Sequence, residues 1–407
     1  MAVTILSQPG THTPAYNNQF FVCSSGNTNQ TNFRYVATVT LGTDTIIEKI
    51  NKRPDNGDLY FDPSSIVKSY VDNTFSRSSL NFAPQDDSII YVTVGIGEEY
   101  GSPVSGFAAT SGTYYAWNAA YNTHDFQSYT YAATSIAKDL TLAPSYTDTI
   151  NFNQKYLLKT WHRGFSTGNI RYLTIDSYDS TGASVQSAVI ENAYYNVGPY
   201  KNNMIALNCS PYGLNNFAGT IVSKTFGGSD VIPATTSYYI LSFSSALPPG
   251  VGNISSNTYT VNIDTMCYKY DRYVLHFLNR LGNYDCFTFN LLSRNTSDKK
   301  TQEYKKSPFE RVGTDYLYYN DTGDTLNYNT TITNKMVLNS DWISDAEATW
   351  LKDLFMSPDV KLEDASGNLY AVKVTDTSYE SKLKVNDKVF NLTVNIEYTY
   401  QDIRQMG

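Results

Sequence analysis

The sequence predicts a mainly all-β protein: tandem immunoglobulin- or fibronectin-like β-sandwich modules, followed by a C-terminal β-rich module that carries one capped helix. Three observations predict this class. The chain of 407 residues contains 35 Tyr, and Tyr and Thr both favour strands. Several segments alternate apolar and polar residues with a period of two. Turns rich in Gly, Pro and Ser separate these segments, with no helical period between them.

The first module is predicted over residues 1–110 as an immunoglobulin- or fibronectin-like sandwich. Apolar residues alternate with polar ones from Phe33 to Leu41, and the segment Ile90–Val94 repeats this pattern. Such alternation is typical of half-buried antiparallel strands. We expect one short helix, around residues 64–70. Sequence rich in Gly, Ser and Ala then predicts a boundary near Ser111.

The middle of the chain is predicted to hold a connector and a second sandwich. Residues 111–147 form the connector, in which the segment Tyr114–Ala120 is expected to be an aromatic anchor rather than a regular strand. Residues 148–264 form the second β-sandwich. Its strands are indicated by alternating apolar residues at Leu173, Ile175, Tyr239, Leu241, Phe243, Tyr259, Val261 and Ile263.

The third module is predicted over residues 265–407. It opens with two strands joined by a turn at Gly282–Asn283. Its helix is expected over residues 344–356, because Ser344 at the N-cap and Glu347 three residues later form a capping box. A long amphipathic strand follows at the end of the chain. One face of that strand should be buried and the other hydrated or in contact with a partner.

The net charge and the absence of long apolar runs limit the kinds of partner that we expect for this protein. The net charge is -8 and the sequence pI is about 5.1, with no extended basic run, so binding of nucleic acid through a basic patch is not expected. If the protein lines a DNA channel, an acidic wall would let the DNA slide past without binding, which is a hypothesis. The segment Met1–Ile5 has no basic region followed by an apolar core, and no apolar run approaches membrane-spanning length. We therefore expect synthesis in a cytoplasm and no membrane contact.

The four cysteines, Cys23, Cys209, Cys267 and Cys286, are widely spaced and form no metal-binding or redox motif. Reduced, buried thiols are the expectation for all of them. Cys267 and Cys286 could face each other across a hairpin, although their spacing does not establish a disulfide.

No pattern in the sequence predicts catalysis, a cofactor or a metal. Gly95-Ile96-Gly97 has the wrong spacing for a nucleotide loop, and the acidic pair that follows would repel phosphate. The four histidines are isolated in sequence, with no carboxylate at the spacing of a metal site: His12, His124, His162 and His276. The acidic pairs are expected to be ordinary surface acids: Asp86-Asp87, Glu98-Glu99, and Asp176 with Asp179. The tryptophans, which could stack on sugars, are better explained as anchors of the sandwiches and the helix: Trp117, Trp161, Trp342 and Trp350. We predict a protein that is not an enzyme.

Three segments carry a resemblance to a known group of proteins. They are Tyr273–Gly282 followed by Phe287-Thr288-Phe289, Trp117-Asn118-Ala119 followed by Asp125-Phe126, and the block from Trp342 to Tyr400. This combination resembles the structural tail or neck proteins, of the ring type, in crAss-like tailed phages of the Bacteroidetes. The resemblance implies a virion protein that stacks as a ring between portal and tail. Its partners would be copies of itself, neighbouring portal, neck or tail proteins, and genomic DNA passing through the lumen without sequence readout.

Under this interpretation we hypothesise that the last strand supplies contacts between subunits, through its face or its open edge. The residues of that face are Phe390, Leu392, Val394, Ile396, Tyr398 and Tyr400. An alternative is a fibre-attachment or receptor-binding protein of the tail that binds host surface polysaccharide. A third interpretation, a bacterial glycan-binding or glycoside-cleaving protein, is disfavoured by the absence of a signal-peptide pattern.

Overall fold

The structure is a computed structural model, and it confirms the mainly all-β fold of sandwich type. It describes residues 3–75, 80–106, 109–122, 147–162, 170–195, 203–226, 228–245, 258–318, 320–321, 323–376, 389–400 and 402–403. The chain divides into two compact units. Unit 1 comprises Met1–Thr265 with Leu278–Asp285, and unit 2 comprises Met266–Phe277 with Cys286–Gly407.

The first sandwich of unit 1 packs two sheets around one apolar core. Its elements are β1 (Thr4–Ser7), β2 (His12–Pro14), β3 (Phe21–Ser24), β4 (Arg34–Leu41), β5 (Asp44–Ile50), β6 (Leu59–Phe61), helix α1 (Ser64–Val67), β7 (Ala83–Gln85), a 3-10 turn (Asp86–Ser88), β8 (Ile89–Tyr100), β9 (Ser105–Gly106) and β10 (Thr110–Trp117). One sheet has the order β1-β3-β6 and the other β2-β10-β8-β4-β5, with β9 beside β8. The alternating apolar residues of β4 and β8 point into the core between the two sheets.

The expectation that Tyr114–Ala120 forms no regular strand is wrong for its first half. Strand β10 pairs antiparallel with β8 along its whole length and parallel with β2 at its end. Gly112, Tyr114 and Ala116 are buried, whereas Thr113 between them is exposed, so the segment alternates as a strand should. The first module therefore extends past residue 110. The remainder of the predicted connector, including Asp125 and Phe126, lies outside the described residues.

The second sandwich also belongs to unit 1. Its elements are β11 (Thr147–Ile150), β12 (Leu157–His162), β13 (Tyr172–Tyr178), β14 (Ser184–Glu191), β15 (Asn203–Asn208), helix α2 (Pro211–Asn215), β16 (Ile221–Lys224), β17 (Tyr238–Ser244) and β18 (Tyr259–Ile263). One sheet has the order β11-β18-β17-β13-β14-β16. The other is β12-β15-β7, so a strand from the first part of the chain completes a sheet of the second part. This pairing explains why the two sandwiches form one compact unit.

A tight turn places residues 278–285 in unit 1. Gly282 has a φ of +92°, and a Cβ at this position would lie 2.4 Å from the carbonyl oxygen of Asn118. Only glycine fits such a close backbone approach. The backbone N–H of Ala120 also donates to the carbonyl of Arg280 at 2.7 Å. The predicted turn at Gly282–Asn283 is thus fixed by contacts inside unit 1.

Unit 2 is built on a large, mainly antiparallel sheet. The remaining elements are β19 (Tyr273–Leu278), β20 (Tyr284–Phe289), β21 (Arg294–Lys305), β22 (Phe309–Val312), β23 (Asp315–Tyr318), β24 (Thr325–Ser344), helix α3 (Asp345–Met356), β25 (Val360–Glu363), β26 (Leu369–Val374), β27 (Val389–Tyr398) and β28 (Asp402–Ile403). The sheet order is β20-β19-β25-β26-β27-β24-β21, with β28 beside β24, and β22 pairs only with β23.

Helix α3 begins and ends where the sequence predicts. Ser344 is its N-cap: the Ser344 Oγ accepts from the backbone N–H of Glu347, and the Glu347 carboxylate accepts from the backbone N–H of Ser344. Both halves of the predicted capping box are therefore formed. Trp350, Leu351 and Leu354 bury one face of the helix. None of the helices in the described part of the chain is long and apolar enough to cross a membrane.

Candidate interaction surface

A long, exposed β-hairpin is the most prominent candidate for a functional surface in unit 2. Strand β21 pairs with the first part of β24, and the small hairpin β22–β23 lies in the connection between them. We call residues 294–337 the β arm. Strand β21 has 12 residues, so it is about 40 Å long. Every side chain of β22 and β23 is exposed, and so is every side chain of β21 except that of Thr301, which is half-buried.

The β arm is held together by its backbone ladder and by polar side-chain pairs. Ser297 donates to Asn334 at 2.8 Å, and Lys335 forms an ion pair with Asp298 at 2.6 Å. An exposed ion pair of this kind contributes roughly 0 to 1 kcal/mol. The outer part of the arm therefore has little apolar core of its own, whereas Met336 at its base is buried.

A bulge groups aromatic residues on one face of the arm. The register shifts between Gln302 and Glu303, and Tyr328 is the extra residue on the opposite strand. Tyr304 lies opposite Leu326, and the rings of Tyr304 and Tyr328 are 6.2 Å apart. All three of these apolar side chains are exposed. The bulge thus creates an exposed apolar patch on strands that are otherwise polar.

A second aromatic group lies on the small hairpin, and we call Phe309, Tyr316 and Tyr318 the aromatic end. Phe309 is opposite Tyr318, with ring centroids 5.9 Å apart, and Tyr316 follows on the same face. Tyr316 is 69% exposed. The turn of this hairpin contains Gly313 at a φ of +65°, a conformation that favours glycine. Clustered aromatic residues in solvent are typical of a surface that binds a partner.

The arm also has a free strand edge. Strand β21 is the outermost strand of its sheet, and no other strand in the described part of the chain pairs with its outer side. Lys299, Lys300 and Lys305 lie on this strand. Charged residues on an edge strand discourage indiscriminate pairing with other chains. The charges therefore protect the edge, while the aromatic groups remain available for a specific contact.

The face predicted to make subunit contacts on the last strand is mostly core of unit 2. Leu392, Val394 and Ile396 are buried inside the chain itself. Strand β27 also lies between β26 and β24, so it is not an edge strand. A partner cannot reach these three residues in the folded chain. The side chain of Phe390 lies outside the described residues.

The end of the same face remains accessible. Tyr398 is half-buried and Tyr400 is 46% exposed. Their rings are 5.3 Å apart, and that of Tyr370 lies 5.9 Å from Tyr398. Burial, together with the nearby Tyr400 hydroxyl, raises the pKa of Tyr398 to about 12, so the Tyr398 side chain is neutral near pH 7. The interface hypothesis stays a prediction for these two residues only.

The structure places Trp342 in solvent, which corrects its predicted role as an anchor. Trp342 is 65% exposed, whereas Trp117 and Trp350 are buried as predicted. A register shift between Asn339 and Trp342 in β24 turns the Trp342 side chain to the outer face. The side chain of Trp161 lies outside the described residues. Trp342 is a further exposed aromatic residue on unit 2.

The predicted histidine and cysteine positions show structural roles. His276 Nε2 lies 2.6 Å from Glu363 Oε2, with both side chains buried, and His12 is buried against the Tyr115 ring. The side chains of His124 and His162 lie outside the described residues. The four cysteines are free. Cys267 is exposed, so the prediction that all four are buried is wrong at that position.

The acidic and glycine-rich candidates are also parts of the scaffold. Glu98 and Glu99 are buried, so the prediction of ordinary surface acids is wrong for this pair. Gly95 and Gly97 lie within strand β8. The Glu98 carboxylate accepts from Asn27 at 2.7 Å, and the Glu99 carboxylate pairs with Lys49 at 2.7 Å. Among the described residues, no group of His, Cys, Asp and Glu side chains is arranged to hold a metal ion.

The β arm was not predicted from the sequence, because its strands are mostly exposed on both faces and so do not alternate between buried apolar and exposed polar residues. The recurrence of Tyr and Phe in a Thr- and Lys-rich segment is the feature of the sequence that could have indicated it.

No model of a known protein family matches the chain, and no curated protein matches its sequence.

Proposed function

We propose that the chain is a non-enzymatic structural subunit of a phage virion, a component of the tail or neck that assembles as a ring or stacked oligomer between portal and tail. The observation that supports this best is the β arm with its exposed aromatic end. A subunit that joins others in a closed ring needs two different surfaces, one to reach the next copy and one to receive it. The arm provides the surface that contacts the next subunit, and the partner that it contacts is a second copy of this chain.

The composition of the arm suits such a contact. Tyr and Phe contribute large contact areas with few rotatable bonds, so ordering them in an interface costs little conformational entropy. The residues that most often dominate binding energy in interfaces include Tyr. Phe309, Tyr316 and Tyr318 form such a group on one face of the small hairpin. The polar strands behind them keep the unassembled subunit in solution.

The same aromatic end supports a second function, attachment of the tail to host surface polysaccharide. Exposed aromatic rings on one face are also suited to stacking on sugar rings. The two functions differ in the partner that the aromatic end requires: a second copy in one case and a glycan in the other.

The test compares three proteins: wild type, a variant with Phe309→Ser, Tyr316→Ser and Tyr318→Ser, and a control with Ile47→Ser. Ile47 is as exposed as the aromatic end but lies on β5 in unit 1. Sedimentation velocity and native mass spectrometry would measure the oligomer. We expect a discrete high-order oligomer in wild type and control, and its loss in the triple variant.

Binding of each protein to capsular polysaccharide separates the two functions. Wild type and control that bind polysaccharide, a triple variant that does not, and no oligomer in any of the three proteins would together contradict the ring subunit and support the attachment role. An oligomer that persists unchanged in the triple variant would show that the aromatic end is not the assembling surface.

A further inference from the structure

A buried lysine in unit 1 lies against an asparagine from a distant part of the chain. Lys159, on strand β12, is only 3% exposed. Its Nζ donates to Oδ1 of Asn73 at 2.5 Å and lies 5.2 Å from the centre of the Tyr284 ring. Burial lowers the pKa of the Lys159 amine to about 7, so a large fraction of it is neutral and nucleophilic near neutral pH.

The carboxamide of Asn73 is arranged as an electrophile. Its Oδ1 accepts a second hydrogen bond, from Ser88 Oγ at 2.9 Å, and Ser88 is itself buried. Two donors on one carbonyl oxygen withdraw electron density from the adjacent carbon and stabilise negative charge that develops on the oxygen. The Asn73 Nδ2 is buried, and it has no hydrogen-bond partner among the residues that the structure describes.

We propose that Lys159 and Asn73 react with each other to form an intramolecular isopeptide bond. The lone pair of the Lys159 Nζ forms a bond to the Asn73 Cγ, and the bond from Cγ to Nδ2 breaks. The nitrogen leaves as ammonia after taking up a proton that the attacking amine gives up. The products are one secondary amide and one molecule of ammonia, so atoms and electrons balance without an oxidant or a further reactant.

The neighbouring groups have separate roles in this step. Ser88 stabilises the oxyanion on Oδ1. Asp72 precedes Asn73 in the chain, and the charge of its carboxylate raises the pKa of the Lys159 amine, against the larger effect of burial. Holding amine and carboxamide together in a site shielded from water supplies the effective concentration that free side chains lack.

The bond would join the first sandwich to the second. Asn73 lies between helix α1 and strand β7, whereas Lys159 lies on β12 of the second sandwich. A covalent link between them would hold unit 1 together under mechanical load and in denaturant, as other cross-links that close long loops do.

Mass spectrometry of the full-length folded protein tests the proposal directly. We expect an intact mass lower than that of the unmodified chain by one ammonia, and a branched peptide in the digest that links residues 73 and 159. A folded wild-type protein with the unmodified mass, in which both residues occur in linear peptides, would overturn the proposal. Circular dichroism on the same sample establishes that the protein is folded.

Variants identify the reacting groups. Lys159→Met and Asn73→Ala should each abolish the mass loss. Asn73→Asp should form the same branched peptide with loss of water, because a carboxylic acid replaces the amide. Ser88→Ala should leave a smaller cross-linked fraction after a fixed time at neutral pH, because it removes the hydroxyl that donates to Asn73 Oδ1. A branched peptide that persists in Lys159→Met would assign the bond to another lysine and overturn the proposal.

Discussion

The amine of Lys159 gives the folding of unit 1 a pH dependence wherever the bond to Asn73 is absent. Its pKa is about 7 in the folded chain, against an ordinary value of 10.5. Between these two values the unfolded chain binds the proton and the folded chain does not. The free energy of unfolding therefore rises with pH across this window, and the cost of burying the charged amine is greatest below pH 7.

Asn73→Ala, which leaves the amine free, should display this dependence. We expect its free energy of unfolding, measured by denaturant titration, to increase by roughly 3 kcal/mol from about pH 7 to about pH 9. The matched control is the double variant Asn73→Ala with Lys159→Met, which has no amine and should lack the increase. Equal pH profiles for the two variants would show that the amine of Lys159 is not buried as the structure has it.

Ile396 and Tyr400 test whether the last strand is core or interface. Ile396 is buried in unit 2, so Ile396→Asp places a charge in an apolar site and should destabilise folding by about 4 kcal/mol or more. Tyr400→Asp, at an exposed position of the same face, should leave the thermal unfolding midpoint nearly unchanged. If the Ile396→Asp protein is folded and stable and only its assembly is lost, this face is an interface rather than core.

Single positions differ in how well their sequence context predicted them. Leu392, Val394 and Ile396 were predicted to share one face, and alternation placed them correctly together. Alternation could not show that the chain itself covers that face. Trp342 was misplaced because a bulge in β24 reverses the side-chain direction, and no residue pattern marks that bulge.

Helix α3 is the element that local sequence specifies best. Its cap, its apolar face and its end all depend on residues within a few positions of one another, so no distant contact is needed to predict it. The β arm is the opposite case. Its strands pair over a long connection, and their side chains carry no burial pattern that would reveal the pairing. Strand β10 was missed for a related reason, since Gly112 and Ser111 suggest a loop until β8 is known to lie beside them.

The N-cap of helix α3 has a measurable contribution to stability. Ser344→Ala removes the oxygen that accepts from Glu347 N–H and should lower the free energy of unfolding by about 1 kcal/mol. Thr349→Ala on the same helix is the control, because the Thr349 hydroxyl only bonds to a carbonyl one turn earlier and is exposed. It should change stability by less than about 0.5 kcal/mol. Equal effects of the two substitutions would mean that the capping box does not stabilise the helix.

For the molecule as a whole, the abundance of Tyr is explained only in part by the cores. Tyr35, Tyr114 and Tyr239 are buried, whereas Tyr304, Tyr316, Tyr318 and Tyr328 on the β arm are exposed. These four lie together on the arm, whereas other exposed Tyr residues, such as Tyr16 and Tyr91, lie apart from it. The chain as a whole is acidic, with a net charge of -8. A surface of this kind suits specific assembly with protein partners better than binding to a phosphate backbone.

Negative-stain electron microscopy of the purified full-length protein, beside the triple variant of the aromatic end, tests the proposed ring assembly most directly. We expect closed rings of uniform diameter in wild type, and single subunits in the variant with Phe309, Tyr316 and Tyr318 replaced by Ser. Rings of the same diameter in both proteins, or single subunits in both at every protein concentration, would contradict ring assembly through the aromatic end.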